Sequence, residues 1–320
     1  MTRDIRITIA RLSALLAVAA AAWAVVLVLS NPASGSAARA TPRLAFARGA
    51  DQGGGLYTIG FDGRGMTRLT SGHDEAPAWS PSGSRLAFSR TPNRGRSSEI
   101  YVVSATGANP HAITHGGGYA QSPSWAPDGS LILFSASGGR FGHSTDPSCA
   151  PNLWVMRPDG SGLRRLIRAG VEPAYSPDGR RIAFVRPDAS DRPWLYIVGS
   201  SGRGVRRIGL GAHPSWSPDG RYLVVERGVG LIRIADLWLV QVSDGRATRL
   251  THTPSASEQG PAWSPDGRWI AFSAVRGGRQ DIYAMPASGG RPHAITRGPR
   301  GGGNFEPTWQ PDPLLAGRAR

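Results

Sequence analysis

The segment Pro77-Ala78-Trp79-Ser80-Pro81-Ser82-Gly83 recurs along the chain and decides its fold. Five related segments follow: PSWAPDG at Pro123, PAYSPDG at Pro173, PSWSPDG at Pro214, PAWSPDG at Pro261 and PTWQPD at Pro307. The aromatic residues of the six segments are spaced by 46, 50, 41, 47 and 46 residues. Such a period indicates a repeat architecture, in which each unit buries its apolar faces against its neighbours.

Each repeat continues with runs that are typical of short β-strands. A large apolar residue follows the turn glycine inside runs such as LAFS and IAFV, and an aromatic residue follows in a second run. The apolar positions are Phe88, Phe134, Phe184, Val225 and Phe272, and the aromatic positions are Tyr101, Trp154, Tyr196, Trp238 and Tyr283. A glycine-rich hairpin turn and a last strand, such as TRLT at 248–251, complete the unit. Four short strands per repeat predict one blade of a β-propeller. A β-sandwich would also hold such strands, but it does not require six copies of one unit.

The two ends of the chain supply the remaining strands. Runs beginning at Leu44, Leu56 and Thr67 match the second, third and fourth strands of a blade that lacks its first strand. Residues 307–312 provide a first strand with no others after it. We therefore predict an all-β fold, a six-bladed β-propeller of four-stranded blades. Strands from both termini close the ring and leave no open edge strand.

The composition agrees with this fold and limits the classes of partner. The chain holds 43 Gly and 26 Pro in 320 residues, which disfavours helices because each Gly costs a helix interior about 1 kcal/mol and each Pro about 3. All 37 basic residues are arginine, and the net charge is +15. This charge favours anionic surfaces in general, and we expect no nucleic-acid partner. The single cysteine, Cys149, excludes an intrachain disulfide.

The N-terminus has the pattern of an export segment. Arg3, Arg6 and Arg11 precede an uncharged run from Leu12 to Leu29, and the small residues of NPASGSAARA follow. An 18-residue apolar run nearly spans a bilayer core of about 30 Å, whereas the apolar part of a signal peptide has about 7–15 residues. A cleaved signal peptide and an uncleaved transmembrane anchor both remain open, and both place the rest of the chain across the membrane.

The domain organisation follows from these observations. We predict a signal peptide or signal anchor at 1–30, a linker at 31–41, the propeller at 42–313 and a short basic tail at 314–320.

The WSPDG signature, followed by LAFS and IYV strands, resembles the TolB-type six-bladed β-propellers over about residues 42–313. The resemblance implies a binding scaffold in the periplasm or cell envelope. Similar blades occur in prolyl-oligopeptidase-type peptidases and in some sugar-acid lyases. The chain departs from TolB in that its first strand begins about a dozen residues after the apolar segment, without the N-terminal α/β domain of that family. It also has no Gly-x-Ser-x-Gly nucleophile motif of a hydrolase.

The residues before each signature proline are the first candidate site. The first strand of a blade is innermost, so these residues should surround the mouth of the central channel. The candidate ligand-binding residues are Glu75, Gln121, Glu172, His213, Glu258 and Glu306. Carboxylates and an imidazole that converge on the axis could hold a divalent cation or a polar ligand; alternatively, they are solvated groups around a water-filled channel. The aromatic registers could stack carbohydrate, but their six-fold recurrence favours packing between blades.

Two further features lie on the loops of the same face. The longest loop, SASGGRFGHSTDPSCAPN, contains Arg140, Phe141, His143, Asp146 and Cys149, and is either a functional loop or a tolerated insertion. Arginines are frequent in these loops and could surround an anionic partner or simply be solvated. They are Arg48, Arg90, Arg94, Arg96, Arg140, Arg186, Arg192, Arg227, Arg276 and Arg279.

Together, these features predict a non-enzymatic, exported cell-envelope scaffold that binds a protein or ligand. It would be a monomer without a cofactor, located in the periplasm, outside the cell or anchored in the membrane and facing outward. Its expected partner is an envelope protein or an anionic envelope polymer, and the membrane itself if the N-terminal helix is uncleaved. The alternative is a metal-dependent enzyme of the lyase or lactonase type with its site at the channel mouth.

Overall fold

The computed structural model describes residues 41–49, 53–92, 97–142, 151–229, 234–254, 256–298 and 303–312. They form six separate four-stranded antiparallel sheets, which are the six blades. No α-helix is present in this part of the chain, and no helix within it is long and apolar enough to cross a membrane. The predicted segments at 1–30 and 314–320 lie outside the described residues.

The first three blades show how the ring closes. Blade 1 joins a strand from the C-terminal end to three strands from the N-terminal end, as predicted, through antiparallel pairing of Leu44 with Trp309. Their strands are β24 (Asn304–Trp309), β1 (Arg43–Arg48), β2 (Gly55–Gly60) and β3 (Thr67–Arg68) in blade 1; β4 (His73–Trp79), β5 (Arg85–Thr91), β6 (Glu99–Ser104) and β7 (His111–Ala112) in blade 2; β8 (Tyr119–Trp125), β9 (Ile132–Ser137), β10 (Asn152–Met156) and β11 (Arg164–Ile167) in blade 3.

The other three blades repeat the same order from the axis outward. Their strands are β12 (Val171–Tyr175), β13 (Arg181–Pro187), β14 (Pro193–Gly199) and β15 (Arg206–Leu210) in blade 4; β16 (Ala212–Trp216), β17 (Tyr222–Val229), β18 (Ile234–Gln241) and β19 (Ala247–Arg249) in blade 5; β20 (Glu258–Trp263), β21 (Trp269–Arg276), β22 (Arg279–Pro286) and β23 (His293–Ala294) in blade 6.

The apolar core lies between neighbouring blades. The described residues form six buried clusters, and each combines residues of two adjacent sheets. The recurring phenylalanines Phe46, Phe88, Phe134, Phe184 and Phe272 are completely buried, and full burial of such a side chain contributes about 1.5–3 kcal/mol.

The antiparallel order gives the propeller two different faces. One face, which we call the mouth face, holds the starts of the first strands and the loops between the second and third strands. The Ser-Pro-Asp-Gly turns and the hairpins between third and fourth strands lie on the other, which we call the turn face. This is the arrangement expected from the sequence.

Candidate functional site

The residues before the signature prolines all adopt the same unusual backbone conformation. Each has a φ between 48° and 55°, the left-handed region that residues other than glycine adopt at a cost of about 1–2 kcal/mol. They are Ala76, Ser122, Glu172, His213, Gly260 and Glu306. Strand pairing is irregular at the same point in every blade. Such a bulge redirects a side chain, and all six residues line the central channel.

The channel runs through the centre of the ring along the first strands of all six blades. Its volume is about 390 Å³, and its walls include the signature prolines and aromatic residues below the six mouth residues. Of the predicted site residues, Glu172, His213 and Glu306 line this channel.

Side chains of one blade bind the backbone of the next at these left-handed residues. Glu306 Oε2 accepts the amide N–H of Ala76 at 2.6 Å, and Glu172 Oε2 accepts that of His213 at 2.6 Å. Glu226 Oε2 accepts the amide of Gly260 at 2.8 Å in the same way. These carboxylates therefore fasten blade junctions as well as lining or flanking the channel.

Sequence reasoning missed Glu226, which lies on the second strand of blade 5. A signal was present, because Ser89 occupies the same register in blade 2, one residue after the recurring apolar position. Ser89 Oγ accepts the amide of Ser122 at 3.1 Å, so in blades 2 and 5 this register supplies an acceptor to the following blade.

His213 lies between two carboxylates. Its Nδ1 is 3.2 Å from Glu226 Oε1, and its Nε2 is 3.5 Å from Glu172 Oε1. Burial alone would lower the pKa of His213, but Glu172, Glu226 and Glu306 together raise it to about 10. The imidazole is therefore a cation at neutral pH, and in that state it is neither a metal ligand nor a general base.

The environment of the Glu306 carboxyl disfavours its charged form. Burial raises its pKa above the ordinary value, and the charges of Glu75 and Glu172 raise it as well. The hydrogen bond from the Ala76 amide and the charge of His213 lower it, but they do not cancel the rise. Among the described residues, no group of three His, Cys, Asp or Glu side chains is arranged to hold a metal ion.

The other predicted mouth residues occupy two different places. Glu75 and Gln121, which lie one position before the left-handed residues, are exposed on the mouth face. Glu258 lies one position earlier still, is completely buried, and pairs with Arg276 at 3.2 Å. It matches the register of Asp74, which also pairs with an arginine, and it lies outside the channel lining.

Phe141 is buried in the described part of the long loop of blade 3. This residue ends a single 3-10 turn at Gly139–Phe141, is 4% exposed, and packs edge-on against Phe134 and Trp154. Arg140 is exposed. His143, Asp146 and Cys149 lie outside the described residues.

Five of the arginines predicted to surround the mouth face lie over aromatic rings of their own blades. The guanidinium carbons of Arg48, Arg90, Arg186, Arg227 and Arg276 lie 4.3–5.0 Å from the centroids of the aromatic rings on the third strands. These arginines also donate to local acceptors: Arg90 to Asp74, Arg186 to the Ala169 carbonyl and Arg227 to the Leu210 carbonyl are examples.

The remaining mouth-face arginines fall into three groups. Arg192 is exposed and pairs with Asp188 at 2.7 Å, and Arg140 and Arg279 are also exposed. Arg94 and Arg96 lie outside the described residues. Six of the eight mouth-face arginines that the structure describes are therefore stacked on an aromatic ring or paired with a carboxylate.

The signature aromatic residues pack between blades. The indole N–H groups of Trp125, Trp216 and Trp309 donate to carbonyls of the preceding blade at 3.0–3.1 Å. The acceptors are the carbonyls of Ala78, Ala174 and Ala262. This geometry fits the packing role, and the three indoles are only 6–7% exposed.

A second set of polar contacts, also missed from the sequence, holds the outer strands. A threonine at the end of the fourth strand accepts a backbone N–H of the third strand and donates to a nearby carboxylate. The threonines are Thr70, Thr114, Thr251 and Thr296, and the carboxylates are those of Asp74, Glu99, Asp236 and Asp281. The recurring Leu-Thr and Ile-Thr ends of the repeats were the available signal.

The sequence of the chain matches a known protein family. The PD40 family, described as the TolB beta propeller domain, matches residues 56–145 and 209–315, which is more than half of the chain. The Tol-Pal system protein TolB of Zymomonas mobilis subsp. mobilis is 41% identical over 64 residues, which cover 19% of this chain and 14% of that relative. The aligned stretch is therefore a small part of the relative's length.

Solved structures share the fold. TolB from Acinetobacter baumannii aligns with a TM-score of 0.68 and 22% identity over 85% of this chain and 67% of that chain. An oligogalacturonate lyase in complex with manganese aligns with a TM-score of 0.53 and 17% identity over 79% of this chain and 74% of that chain.

Proposed function

Because the chain belongs to the family of TolB β-propeller domains, we propose that it is an exported cell-envelope scaffold that binds a partner protein and catalyses no reaction. The mouth face is the proposed binding surface. There the exposed Glu75 and Gln121 lie beside the channel residues Glu172, His213 and Glu306, and a rigid ring holds the loops in place.

One observation carries the non-enzymatic part of the proposal. The ionisable side chains of the channel bind backbone amides and one another, as in the Glu172–His213–Glu226 row. A general base or a metal ligand must be free to accept a proton or to bind the ion. His213, held as a cation, meets neither requirement.

The alternative is a metal-dependent enzyme of the lyase or lactonase type at the channel mouth. The oligogalacturonate lyase noted above has this fold and contains manganese, but at 17% identity the likeness extends to the fold alone. A metal at this mouth would have to displace the proton of His213 and break its ion pairs. Equal melting temperatures with chelator and with added manganese would support the scaffold, whereas stabilisation by manganese would favour the enzyme.

Export rests on the N-terminal sequence. Arg3, Arg6 and Arg11 before the apolar run at 12–29 support a protein located in the periplasm or anchored in the membrane and facing outward. Fractionation of cells tests this part separately. A chain found with the cytoplasmic fraction would contradict it.

The partner proposal is tested by cross-linking the full-length chain in its own cells. The mouth variant Gln121→Arg/Gln259→Arg places two cations on exposed mouth-face positions. A matched variant, Ala108→Arg/Ser288→Arg, adds the same charge to exposed hairpins of the turn face. We expect a reproducible envelope protein adduct that the mouth variant loses and the matched variant keeps.

Two results would contradict the proposal. Equal loss of the adduct in both variants would mean that charge in general, and not the mouth face, governs binding. The absence of any reproducible adduct would leave only a structural role for the propeller.

A further inference from the structure

The exposed arginines concentrate away from the mouth, on the outer part of blades 3 and 4. Residues 163–168 and 200–210 contain six arginines and no acidic residue. Five of these arginines lie on β11, on β15 or in the hairpin before β15, and all five are exposed. We call Arg164, Arg165, Arg203, Arg206 and Arg207 the arginine strip.

The strip is continuous across the junction of the two blades. The hairpin before β15 packs directly on β11, because a Cβ at Gly202 would lie only 3.0 Å from the carbonyl oxygen of Leu166. Gly202 has a φ of 85°, which suits this turn to glycine. Arg203 follows at once, so the hairpin brings this arginine beside β11.

Two side chains of the strip are held in position. Arg206 Nη2 donates to the Val242 carbonyl of blade 5 at 2.6 Å, and the Arg207 guanidinium lies 4.3 Å from the ring centroid of Trp194. Because these side chains are already ordered, binding costs less conformational entropy.

The acidic residue of the hairpin before β11 is folded back into its own turn. Asp159 accepts the backbone amide of Ser161 within its own turn at 2.9 Å. Hydrogen bonds from Ser161 also lower the pKa of the Asp159 carboxyl, so it stays folded back as an anion.

We propose that the arginine strip binds a linear polyanion that carries phosphate groups in series. The planar guanidinium fork matches phosphate oxygens, and cations repeated over neighbouring strands match a chain of charges better than one small anion. The strip belongs to the outer strands, whereas the mouth residues belong to the innermost strands. The proposal therefore adds a second binding surface to the propeller.

The test measures the affinity of the full-length chain for inorganic polyphosphate of uniform length at several salt concentrations. The variant Arg164→Gln/Arg165→Gln/Arg203→Gln removes three charges from the strip. The control Arg64→Gln/Arg268→Gln/Arg291→Gln removes three from exposed turn-face positions of blades 1 and 6.

We expect the strip variant to bind at least about tenfold more weakly at low salt. The slope of log K against log salt should decrease by about 2, since each contact to a flexible polyanion contributes about 0.7. The control should keep the wild-type slope, and the variant with lysine at the three strip positions should recover most of the affinity, because the charge is restored.

Other outcomes overturn the proposal. They are no polyphosphate binding by the wild type, equal losses in the strip variant and the control, and no recovery of affinity in a lysine variant that circular dichroism shows to be folded. A further arm uses vesicles of phosphatidylglycerol and phosphatidylcholine. Strip-dependent binding to these vesicles, without binding to polyphosphate, would assign the surface to lipid instead.

Discussion

Replacement of His213 by glutamine should weaken the ring between blades 4 and 5. The variant leaves the Glu172 and Glu226 carboxylates facing each other without the cation that lies 3.5 Å and 3.2 Å from them. Removal of one partner of a fully buried ion pair costs about 3–5 kcal/mol. The His213 side chain is 38% exposed, however, and exposed pairs contribute only about 0–1 kcal/mol.

An intermediate loss of about 1–2 kcal/mol is therefore expected for His213→Gln. For a domain of this size, each kcal/mol lowers the melting temperature by about 2–4 °C. Thermal unfolding followed by circular dichroism at pH 7.5 should show a decrease of about 3–6 °C. The exposed His252 provides a control, because His252→Gln should leave the melting temperature unchanged.

The pH dependence tests the reasoning further. The folded-state pKa of His213 is about 10, above the ordinary value of about 6.5, so the folded state holds the proton more tightly. The contribution of His213 is complete below about pH 6.5 and is lost as the pH rises through about 10. The difference between wild type and variant should be largest at pH 5.5 and small at pH 10.5. Equal melting temperatures at pH 7.5, or a difference that grows toward pH 10.5, would refute the account.

Three other substitutions test the contacts between and within blades. Trp309→Phe removes an indole hydrogen bond of 3.0 Å to a neighbouring carbonyl. The indole nitrogen of Trp79 has no partner among the described residues, so Trp309→Phe should lower the free energy of unfolding by about 1 kcal/mol more than Trp79→Phe does. Urea unfolding of both variants measures the difference. Glu306→Ala leaves the Ala76 amide without its acceptor and should cost about 1–3 kcal/mol at pH 7.5, whereas Glu306→Gln keeps an acceptor oxygen and should melt at or above the wild-type temperature. Phe141→Ala removes a buried anchor and should cost about 3–5 kcal/mol in urea unfolding, and a change below about 1 kcal/mol would show that the turn does not depend on this side chain.

The fold could be predicted because each blade repeats the same short sequence motifs. The proline-aromatic segment, the apolar run and the glycine turn each recur at one register, and the strand runs at the two ends of the chain complement each other. Closure of the ring followed from Leu44 and Trp309, which are partners in β1 and β24. These are pattern properties, and no side-chain geometry is needed to deduce them.

The contents of the channel were harder to predict, and Glu258 shows why. In a regular strand, residues one and three positions before the proline would point to the same side. The left-handed residue at each mouth interrupts this alternation, so Gly260 lines the channel while Glu258 is buried and pairs with Arg276 of its own blade. A sequence count cannot detect the bulge, because five of its six positions hold residues other than glycine.

The sequence placed these arginines on the mouth-face loops, but it did not predict the contacts of their side chains. Composition and loop position indicate which segment carries an arginine, but not which aromatic ring or carboxylate its guanidinium group contacts. A local signal did exist in Arg48, Arg90, Arg186 and Arg227, each two residues after the recurring apolar residue. Residues two apart in a strand share a face, so these arginines extend over the aromatic ring of the adjacent strand.

The residue after each signature proline divides the ring into three pairs of blades. Blades 2, 4 and 6 have alanine there, and blades 3, 5 and 1 have serine or threonine: Ala78, Ala174 and Ala262 against Ser124, Ser215 and Thr308. The alanine carbonyls accept the indole N–H of the following blade. Two of the hydroxyls instead accept a backbone amide of the following blade, from Tyr175 at 3.1 Å and from Trp263 at 2.9 Å.

This alternation bears on how the ring closes. The junction between blades 6 and 1, where the ends of the chain meet, uses the indole contact of Trp309 to Ala262 at 3.0 Å. The junctions inside the chain at blades 2–3 and 4–5 use the same contact at 3.1 and 3.0 Å. The junction that closes the ring therefore uses the same indole-to-carbonyl contact as the junctions at blades 2–3 and 4–5. In this respect blades 6 and 1, which β24 joins, form a pair like the other two. A substitution at Trp309 should consequently loosen closure by no more than the equivalent substitution at Trp125 or Trp216 loosens its own junction.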